Sequence, residues 1–302
     1  MENLTQPNNG KVAIIVVTFN RLKDLKICIN AIREQSYPNY DIIIINNGST
    51  DGTKEYLDTQ SDIIAIHQKN VGGAGGFYTG MKYMYDHDYQ WLLMMDDDGI
   101  PEKDELKILL SKYEDIYALN NNKDIILNAL VVNKEDHNII SFLWARGSHR
   151  SIYVKDLQSE NYIEDIHPFN GTLIKRNIIE QIGFIKKEMF IWGDEEEYIS
   201  RARYHGFKTY TIPQAIHYHP KEKGVKGYLI PFIKKYYILK KPIAMSHYYY
   251  RNKGYIYNTY PEKKKHIIPF LLANTVYHLL RMNIKELIKL YKYFYLGKKN
   301  RY

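Results

Sequence analysis

Three adjacent aspartates directly after an apolar run form the strongest chemical signal in this sequence. Asp96, Asp97 and Asp98 follow residues 91–95 (WLLMM), a run typical of a buried strand. Carboxylates crowded together repel one another unless a cation or a helix N-terminus compensates their charge. Hard divalent ions such as Mg²⁺ and Mn²⁺ prefer oxygen ligands, so the triplet is a candidate metal site. The alternative is a charged cap for the helix predicted downstream of Pro101.

A glycine-rich segment, residues 70–77 (NVGGAGGF), is a second candidate site before a helix predicted over 77–85. Glycines at this place let backbone N–H groups approach a ligand closely, although a merely flexible loop has the same composition. The segment lacks the Gly-Lys-Ser/Thr ending of a P-loop, and Tyr78 occupies the last glycine position of a dinucleotide fingerprint. Kinase-like and dehydrogenase functions are therefore disfavoured.

Four consecutive acids follow an aromatic residue in the run 190–198 (FIWGDEEEY), at the start of a helix predicted over 194–205. One interpretation is complementation of the helix dipole on a solvated face, which suits Glu196. The other makes one acid a general base beside an aromatic side chain on which a sugar ring stacks. The first interpretation is favoured for this run taken alone.

Two histidines alternate in the segment 213–220 (PQAIHYHP), which reads as a strand with His217 and His219 on one face. A lone histidine is more often structural than a ligand. Beside a carboxylate cluster, however, it is a plausible third metal ligand. The spacing does not decide whether either histidine reaches the aspartates.

The elements that would position these residues alternate between strands and helices over the first part of the chain. Apolar runs predict buried strands at 11–19, 41–45, 63–66, 91–95 and 125–132. Helices are predicted up to about 35 and near 53–58 and 104–117. The predicted fold is an open, mainly parallel α/β sheet, whose ligand sites lie at the carboxyl ends of the strands. Residues 18–20, 46–47 and 96–98 all fall at such ends.

Charge divides the chain into two parts. The formal net charge of the 302 residues is +8, but residues 221–302 hold nineteen Lys and Arg against three Glu. We therefore predict a catalytic domain over 1–220 and a basic, Tyr-rich helical extension over 221–302. Helices are expected near 228–239, 245–257, 266–281 and 284–295.

The basic extension suggests anionic partners. A cationic helix face against anionic lipid or a lipid-diphosphate acceptor is favoured over purely structural helices. Nucleic acid is not expected, because no DNA- or RNA-binding signature is present. A nonenzymatic protein that binds nucleic acid through this extension is the alternative from another functional class.

The remaining features concern compartment. The first residues lack the charged start and apolar run of a signal peptide, and no apolar stretch reaches the 18 residues of a membrane span. Cys28, the only cysteine, lies among leucines and isoleucines at helical spacing. This position predicts a small buried side chain in a reducing compartment. A cytoplasmic location, peripheral at the inner face of a bacterial plasma membrane, is expected.

Together and in this order, the loop NVGGAGGF, the triplet DDD, the run WGDEEE and the segment PQAIHYH resemble one family. It is the inverting family 2 glycosyltransferases with the GT-A fold, and within them the bacterial galactofuranosyltransferases. The resemblance covers roughly residues 11–220. Each motif is weak alone, whereas the ordered set is specific.

The resemblance implies a role for each candidate residue. The uridine and diphosphate of a UDP-sugar would be lined by Thr18, Asn20, Arg21, Asn46 and Asn70. The donor sugar would be bordered by Gly73, Ala74, Gly75 and Gly76, with Asp97 also on the donor side. Mn²⁺ or Mg²⁺ would be bound by Asp96, Asp98 and His219, the last in preference to His217. The acceptor sugar would meet Trp192.

The resemblance also implies the reaction. Glu195 occupies the position of the general base, with Asp194 as its competitor, because Glu stands where Asp is usual in the family. Asn46 likewise replaces a common Asp. The implied reaction transfers galactofuranose from UDP-galactofuranose to a glycan or lipid-linked glycan in surface polysaccharide (O-antigen or capsule) synthesis. A dTDP-rhamnose-dependent rhamnosyltransferase of the same fold is the alternative.

Overall fold

A computed structural model describes residues 10–144, 151–221, 238 and 241–301 of the chain. In these residues a single mixed sheet runs in the order β3-β2-β1-β4-β7-β6-β8-β5. Its strands are β1 (Val12–Thr18), β2 (Tyr40–Asn46), β3 (Ile63–His67), β4 (Trp91–Asp96), β5 (Ile100–Pro101), β6 (Ile125–Asn133), β7 (Thr172–Lys175) and β8 (Lys208–His219). Strands β1 to β4 are parallel, β7 is antiparallel to β4 and β6, and β5 is antiparallel to β8.

Helices cover both faces of this sheet and continue beyond it. They are α1 (Leu22–Arg33), α2 (Thr53–Asp58), α3 (Gly72–Asp86), α4 (Glu105–Leu119), α5 (Val154–Leu157), α6 (Arg176–Ile182), α7 (Asp194–Tyr204), α8 (Ser246–Thr259), α9 (Ile267–Leu279) and α10 (Ile284–Lys298). Short 3₁₀ turns lie at Lys187–Met189 and Pro261–His266. The architecture is the α/β, GT-A-like fold predicted from the sequence, with helices following the sheet.

The continuous apolar sequence of β1 follows from burial on both faces. Ala13, Ile15 and Val17 pack in one hydrophobic cluster together with α3. The alternate residues Ile14 and Val16 pack in a second cluster, which includes the buried side chains of α1 and α4. A strand covered on both sides needs no polar face, which is why β1 shows no alternation of apolar and polar residues.

The structure of the glycine-rich segment differs from the predicted one, which was a loop before a helix at 77–85. Helix α3 begins at Gly72, so most of the predicted loop is the first turns of a helix. A run of glycines disfavours helix, and packing overrides that propensity here. A Cβ on Gly76 would lie 2.4 Å from Val17 Cγ1, and one on Gly80 would lie 2.5 Å from Ile15 Cγ2. The absence of side chains at these two positions lets α3 lie close against β1.

Strand β8 is longer than predicted and irregular. It begins at Lys208, five residues before the predicted start, and its pairing with β6 shifts register after Ile212. Pro213 follows directly on this shift. A proline cannot donate a ladder hydrogen bond, so the predicted strand began at the irregularity and omitted residues 208–212, which pair regularly with β6.

The helices after residue 245 join the core of the sheet domain. The hydrophobic cluster that contains Ala13, Ile15 and Val17 of β1 extends to these helices, where it includes Tyr249, Ile256, Phe270 and Leu290. Helices predicted over 245–257, 266–281 and 284–295 are present, while the one predicted over 228–239 lies outside the described residues, apart from Ile238. A domain boundary near residue 220 stays a prediction.

Among the described residues, no helix combines the length and apolarity that crossing a bilayer requires.

The tight contact between α3 and β1 predicts an unusual response to alanine. In an ordinary helix Gly→Ala stabilises by about 0.5–1 kcal/mol. We expect Gly80→Ala instead to lower the free energy of unfolding by about 1–2 kcal/mol, because its Cβ overlaps Ile15. Gly73→Ala is the matched control, since a Cβ at Gly73 meets nothing within 4 Å. Urea denaturation measures both, and equal stabilisation by the two substitutions would contradict the packing argument.

Candidate active site

The carboxyl ends of three neighbouring parallel strands meet at one edge of the sheet. Thr18 at the end of β1 is in register with Asn46 at the end of β2. On the other side of β1, Val17 is in register with Asp96 at the end of β4. Ligand sites in open α/β sheets lie at such edges. The strand pattern thus places three of the predicted site residues side by side.

The aspartate triplet divides between two sets of partners. Asp97 is buried and accepts a hydrogen bond of 2.8 Å from the Thr18 hydroxyl and one of 3.3 Å from the Arg21 guanidinium. Burial raises the pKa of Asp97 to about 6, against the opposing effects of Thr18 and Arg21. Asp97 therefore fixes the loop after β1, while its two neighbours face elsewhere.

Asp96, Asp98 and His219 form the second set. One ligand atom from each lies within 4.8 Å of the others, and His219 Nε2 is 3.1 Å from an Asp98 carboxylate oxygen. His219 Nδ1 is 2.8 Å from the carbonyl oxygen of Pro220. Because a carbonyl only accepts, Nδ1 is the donor, and Nε2 is directed at the aspartates. A histidine whose second nitrogen is held in this way is oriented as a metal ligand.

The charges at this cluster are poorly balanced by protein alone. Burial raises the pKa of Asp96 to about 7; His219 opposes this shift, while Asp98, Asp97 and Glu195 add to it. Burial also disfavours the charged form of Asp98, but the hydrogen bond to His219 and the contact with Arg21 bring its pKa well below the usual range. Two half-buried carboxylates and an imidazole nitrogen fit a hard divalent cation, which would offset negative charge at the cluster.

His217, the other histidine considered from sequence, has a different role. It is fully buried, and its Nδ1 lies 3.0 Å from a carboxylate oxygen of Glu105, which is also fully buried. This pair packs under the residues that follow the triplet, where Gly99 leaves room for the imidazole ring. The preference for His219 over His217 as the residue beside the aspartates is thereby consistent with the geometry.

A cavity of about 540 Å³ opens beside the ends of β2 and β3. Its lining is Asn46, Gly48, Ser49, Lys54, His67, Gln68, Lys69 and Asn70. Two predicted nucleotide-site residues, Asn46 and Asn70, are in this set. The Asn46 side chain accepts a bond of 3.0 Å from the Ser49 N–H and contacts His67 Nδ1 at 3.1 Å, so it also shapes the cavity wall.

Other predicted donor residues have structural partners. Asn20, at a φ of 54°, accepts a hydrogen bond of 2.7 Å from the Thr50 N–H and so ties together the loops after β1 and β2. Ala74 donates its N–H to the Phe190 carbonyl at 3.1 Å, and Gly75 packs on Val71. Gly73, also predicted beside the donor sugar, borders open space, because a Cβ placed on it would meet no atom within 4 Å.

Asn47 is a site-shaping residue that sequence reasoning left without a role. Its side-chain amide donates to the Gly72 carbonyl at 2.9 Å and accepts from the Val71 N–H at 3.2 Å. Asn70 adds a bond of 2.9 Å from the Gly72 N–H to its own side-chain oxygen. Asn47 therefore sets where α3 begins relative to the end of β2. The available signal was a second asparagine directly after the strand end.

The four acids of α7 separate into two structural and two central residues. Glu197 is buried and accepts hydrogen bonds from Arg201 at 2.9 Å and Tyr260 at 2.6 Å. Glu196 forms ion pairs with Lys253 and Lys263. Both acids therefore have structural partners, but these are basic and aromatic side chains rather than the solvated face that the helix-dipole interpretation gave to Glu196.

Asp194 and Glu195 instead lie close enough to the aspartate cluster to interact electrostatically with Asp96. The Gly193 N–H donates to a Glu195 carboxylate oxygen at 3.0 Å. Asp194 is buried, and burial, followed by the charge of Glu195 and a hydrogen bond with it, raises the pKa of Asp194 well above its usual value. The charge of Asp96 contributes to the same shift. The structure therefore brings the predicted catalytic pair and the predicted metal ligands into one electrostatic site.

The loop before these acids is conformationally unusual. Phe190, Trp192 and Gly193 have φ values of 66°, 60° and 119°. Positive φ costs about 1–3 kcal/mol at a non-glycine residue unless the surroundings enforce it. The Trp192 ring is partly buried, with Lys241 Nζ 4.8 Å from its centroid. One face of the ring predicted to meet the acceptor is thus next to a cation.

Asn252 on α8 enforces this loop conformation, and sequence reasoning gave it no role. Its side-chain NH₂ contacts the carbonyl oxygens of Met189, Ile191 and Trp192 at 2.9–3.0 Å. Arg251 donates to the Asn252 side-chain oxygen at 3.1 Å, which directs the NH₂ toward the loop. No local sequence signal links residues about sixty positions apart.

Comparison with known proteins fits this geometry. The family model for glycosyl transferase family 2 matches residues 13–183, more than half of the chain. The chain belongs to glycosyltransferase family 2. Family 2 enzymes move a sugar from an activated donor to an acceptor, and in general use a divalent metal, for which Asp96, Asp98 and His219 are the candidate ligands.

Several family 2 relatives are similar over most of this chain. Galactofuranosyltransferase GlfT1 of Mycobacterium tuberculosis is 27% identical over 218 residues, covering 69% of this chain and 70% of the relative. The dTDP-rhamnosyl transferase RfbF of Shigella flexneri is 24% identical over 249 residues, covering 78% of this chain and 80% of the relative. The crystal structure of S. aureus TarS matches with a TM-score of 0.52 and 13% identity, over 70% of this chain and 36% of that one. The TarS likeness supports the fold.

The Asn252 contacts predict a positioning role. Asn252→Asp replaces the donating NH₂ by a carboxylate oxygen that repels three loop carbonyls, so Asp194 and Glu195 would shift. We expect kcat for sugar transfer to fall about 100-fold, the loss that a displacement near 1 Å causes, with the KM for the donor changed far less. Steady-state kinetics measures both.

Asn258→Asp is the matched control for this substitution. Asn258 lies on the same helix, and its side chain bonds only the Gly254 carbonyl one turn earlier, at 2.8 Å, in the described structure. Both variants should fold, as judged by circular dichroism. An unchanged kcat in folded Asn252→Asp would show that the loop keeps its shape without this side chain.

Proposed function

We propose that the protein transfers galactofuranose from UDP-galactofuranose to a glycan acceptor, with inversion at the anomeric carbon. The observation that carries the proposal is the charge interaction that links Asp96, a member of the cluster of Asp96, Asp98 and His219, to the acid pair Asp194 and Glu195. A metal group beside a candidate base is what inverting transfer from a nucleotide diphosphate needs. Relatives named galactofuranosyltransferase support the choice of sugar.

The donor would lie along the carboxyl edge of the sheet. Thr18, Asn20, Arg21, Asn46 and Asn70 line the uridine and diphosphate portion, whose base faces the cavity beside β2 and β3. Arg21 sits next to Asp98 and offers a positive charge to the diphosphate. Gly73 leaves the open approach to the sugar at the start of α3. Asp96, Asp98 and His219 would hold Mn²⁺ or Mg²⁺, which acts as a Lewis acid on the departing diphosphate.

Glu195 accepts the proton of the acceptor hydroxyl in this proposal. Asp194 is the competing candidate, but burial and the charge of Glu195 raise its pKa, which favours the protonated carboxyl and makes Glu195 the better base. Its role is then to hold Glu195 through the hydrogen bond that they share. The Gly193 N–H fixes the other side of the Glu195 carboxylate. Trp192 borders the acceptor sugar.

The acceptor is a lipid-linked surface glycan in this proposal, and the enzyme works at the cytosolic face of a bacterial membrane. The support is the excess of nineteen Lys and Arg over three Glu in residues 221–302, which favours an anionic surface. Family membership removes the basis of the nonenzymatic, nucleic-acid-binding hypothesis. The second candidate donor is dTDP-rhamnose, which the relative RfbF favours.

A donor screen tests the choice of sugar. Purified protein is incubated with Mn²⁺, an oligosaccharide acceptor that ends in galactofuranose, and UDP-galactofuranose, other UDP-sugars or dTDP-rhamnose in parallel. We expect nucleotide release and a product larger by one hexose with UDP-galactofuranose alone. Selective turnover of dTDP-rhamnose would replace the proposed sugar and leave the family assignment intact.

Substitution of the acid pair tests the base. Glu195→Gln should lower kcat by about 10²–10⁴-fold, the usual contribution of a general base, while the dissociation constant for UDP stays within a few-fold of wild type. Asp194→Asn, the paired substitution, keeps a hydrogen-bonding side chain beside Glu195 and should retain more activity. The reverse order of the two losses would assign the base to Asp194.

A further inference from the structure

Helix α9 combines an uncharged sequence with an exposed side. No Asp, Glu, Lys or Arg occurs from Ile267 to Leu279. One side of the helix buries Phe270 and Ala273, while Ile268, Leu272 and Leu279 on another side are exposed. An apolar helix side that no part of the described protein covers marks an interaction surface when it belongs to a larger patch.

Helix α10 carries a matching stripe. Ile284, Ile288, Tyr291 and Tyr295 are exposed and recur at intervals of four, three and four residues, so they lie on one side of the helix. The opposite side buries residues such as Leu290. Helix α10 thus carries apolar residues on an exposed side as well as on its buried side, whereas an ordinary surface helix exposes mainly polar residues.

The two stripes form one surface. The Thr275 hydroxyl on α9 lies 2.8 Å from the Tyr291 hydroxyl on α10, at an exposed position between the stripes. The connection between the helices extends the surface with Leu280 and with Met282, whose side chain is 87% exposed. We name this the α9–α10 face: Ile268, Leu272, Leu279, Leu280, Met282, Ile284, Ile288, Tyr291 and Tyr295.

The charge around the α9–α10 face has one sign. Residues 261–301 contain ten Lys and Arg but two Glu, and Glu286 is buried in a contact with Ser246. Lys285 and Lys292 follow Ile284 and Tyr291 directly along α10 and are exposed, so basic side chains border the apolar stripe. Long lysine side chains can place their ammonium groups at lipid phosphates while their methylenes cover apolar surface.

We propose that the α9–α10 face lies on an anionic phospholipid bilayer, with the apolar side chains at the acyl boundary and the lysines at the headgroups. The proposal deepens the membrane association given under the proposed function, by naming the surface that makes it. A second copy of the chain is the competing occupant. Protein interfaces are depleted in lysine, whereas apolar stripes bordered by lysine are typical of helices that lie in a membrane surface.

The position of this face suits the proposed reaction. Helix α10 crosses α8 closely, since a Cβ on Gly297 would lie 1.8 Å from the Arg251 carbonyl oxygen. The next residue of α8, Asn252, holds the loop before Asp194 and Glu195. A bilayer on the outer side of α10 would therefore be separated by the two helices α10 and α8 from the loop that positions the candidate base.

Vesicle sedimentation tests the proposal with the full chain. Wild-type protein should bind vesicles of phosphatidylglycerol and phosphatidylcholine, and bind pure phosphatidylcholine at least about tenfold more weakly, because each lysine near an anionic surface adds attraction. Leu280→Asp/Met282→Asp should weaken binding to the anionic vesicles by more than tenfold. Leu119→Asp, which puts one added aspartate at an exposed leucine on α4, is the control and should bind as wild type does.

Two readouts separate the possible outcomes. Unchanged vesicle binding by the double variant would overturn the proposal, and so would a wild-type dimer in sedimentation velocity that the double variant dissociates. Turnover of UDP-galactofuranose with a soluble acceptor should be equal in wild type and double variant. If neither wild type nor the double variant turned over UDP-galactofuranose while wild type still bound the vesicles, the proposed donor would be wrong. The proposal for the α9–α10 face would then still stand.

Discussion

The main constraint on this structure is that several carboxylates lie close together at one edge of its sheet, where their negative charges must be compensated. Asp96 ends β4, Asp97 and Asp98 follow it, and the first turn of α7 adds Asp194 and Glu195. Burial opposes ionisation of every one of the four aspartates. Partners within the protein compensate Asp97 and Asp98, through Thr18, Arg21 and His219. Asp96, Asp97 and Asp194 nevertheless keep raised pKa values, a charge imbalance that a cation bound at Asp96, Asp98 and His219 would offset.

The same constraint explains the helices after residue 245. Acids gathered at a helix start need a backbone that holds them in place, and the backbone before Asp194 has positive φ at three of four consecutive residues. Asn252 stabilises that conformation from α8, while Lys253 and Tyr260 pair with the two acids that face away from the cleft. In the described residues, the helical extension therefore holds the loop that leads to the candidate acids and also forms a basic surface.

Much of the site was predictable because its signals are local. A buried parallel strand shows as an apolar run, and its carboxyl end locates Thr18, Asn46 and Asp96 without knowledge of the tertiary structure. Two features were not predictable. The glycine segment forms helix because Gly76 and Gly80 fit against β1, and which acids of α7 face the cleft depends on partners 57 to 63 residues away. Contacts at such separations leave no periodic pattern in the sequence.

The central claim is that Asp96, Asp98 and His219 hold a divalent cation to which a nucleotide diphosphate binds. Isothermal titration of Mn²⁺, and then of UDP, into wild type, His219→Gln and the exposed control His205→Gln tests it most directly. The account predicts that UDP binding requires Mn²⁺, and that His219→Gln weakens Mn²⁺ binding at least tenfold, the loss that removal of even an outer-shell partner causes. His205→Gln should match wild type. Equal Mn²⁺ affinity in His219→Gln, or tight UDP binding without metal, would contradict the account.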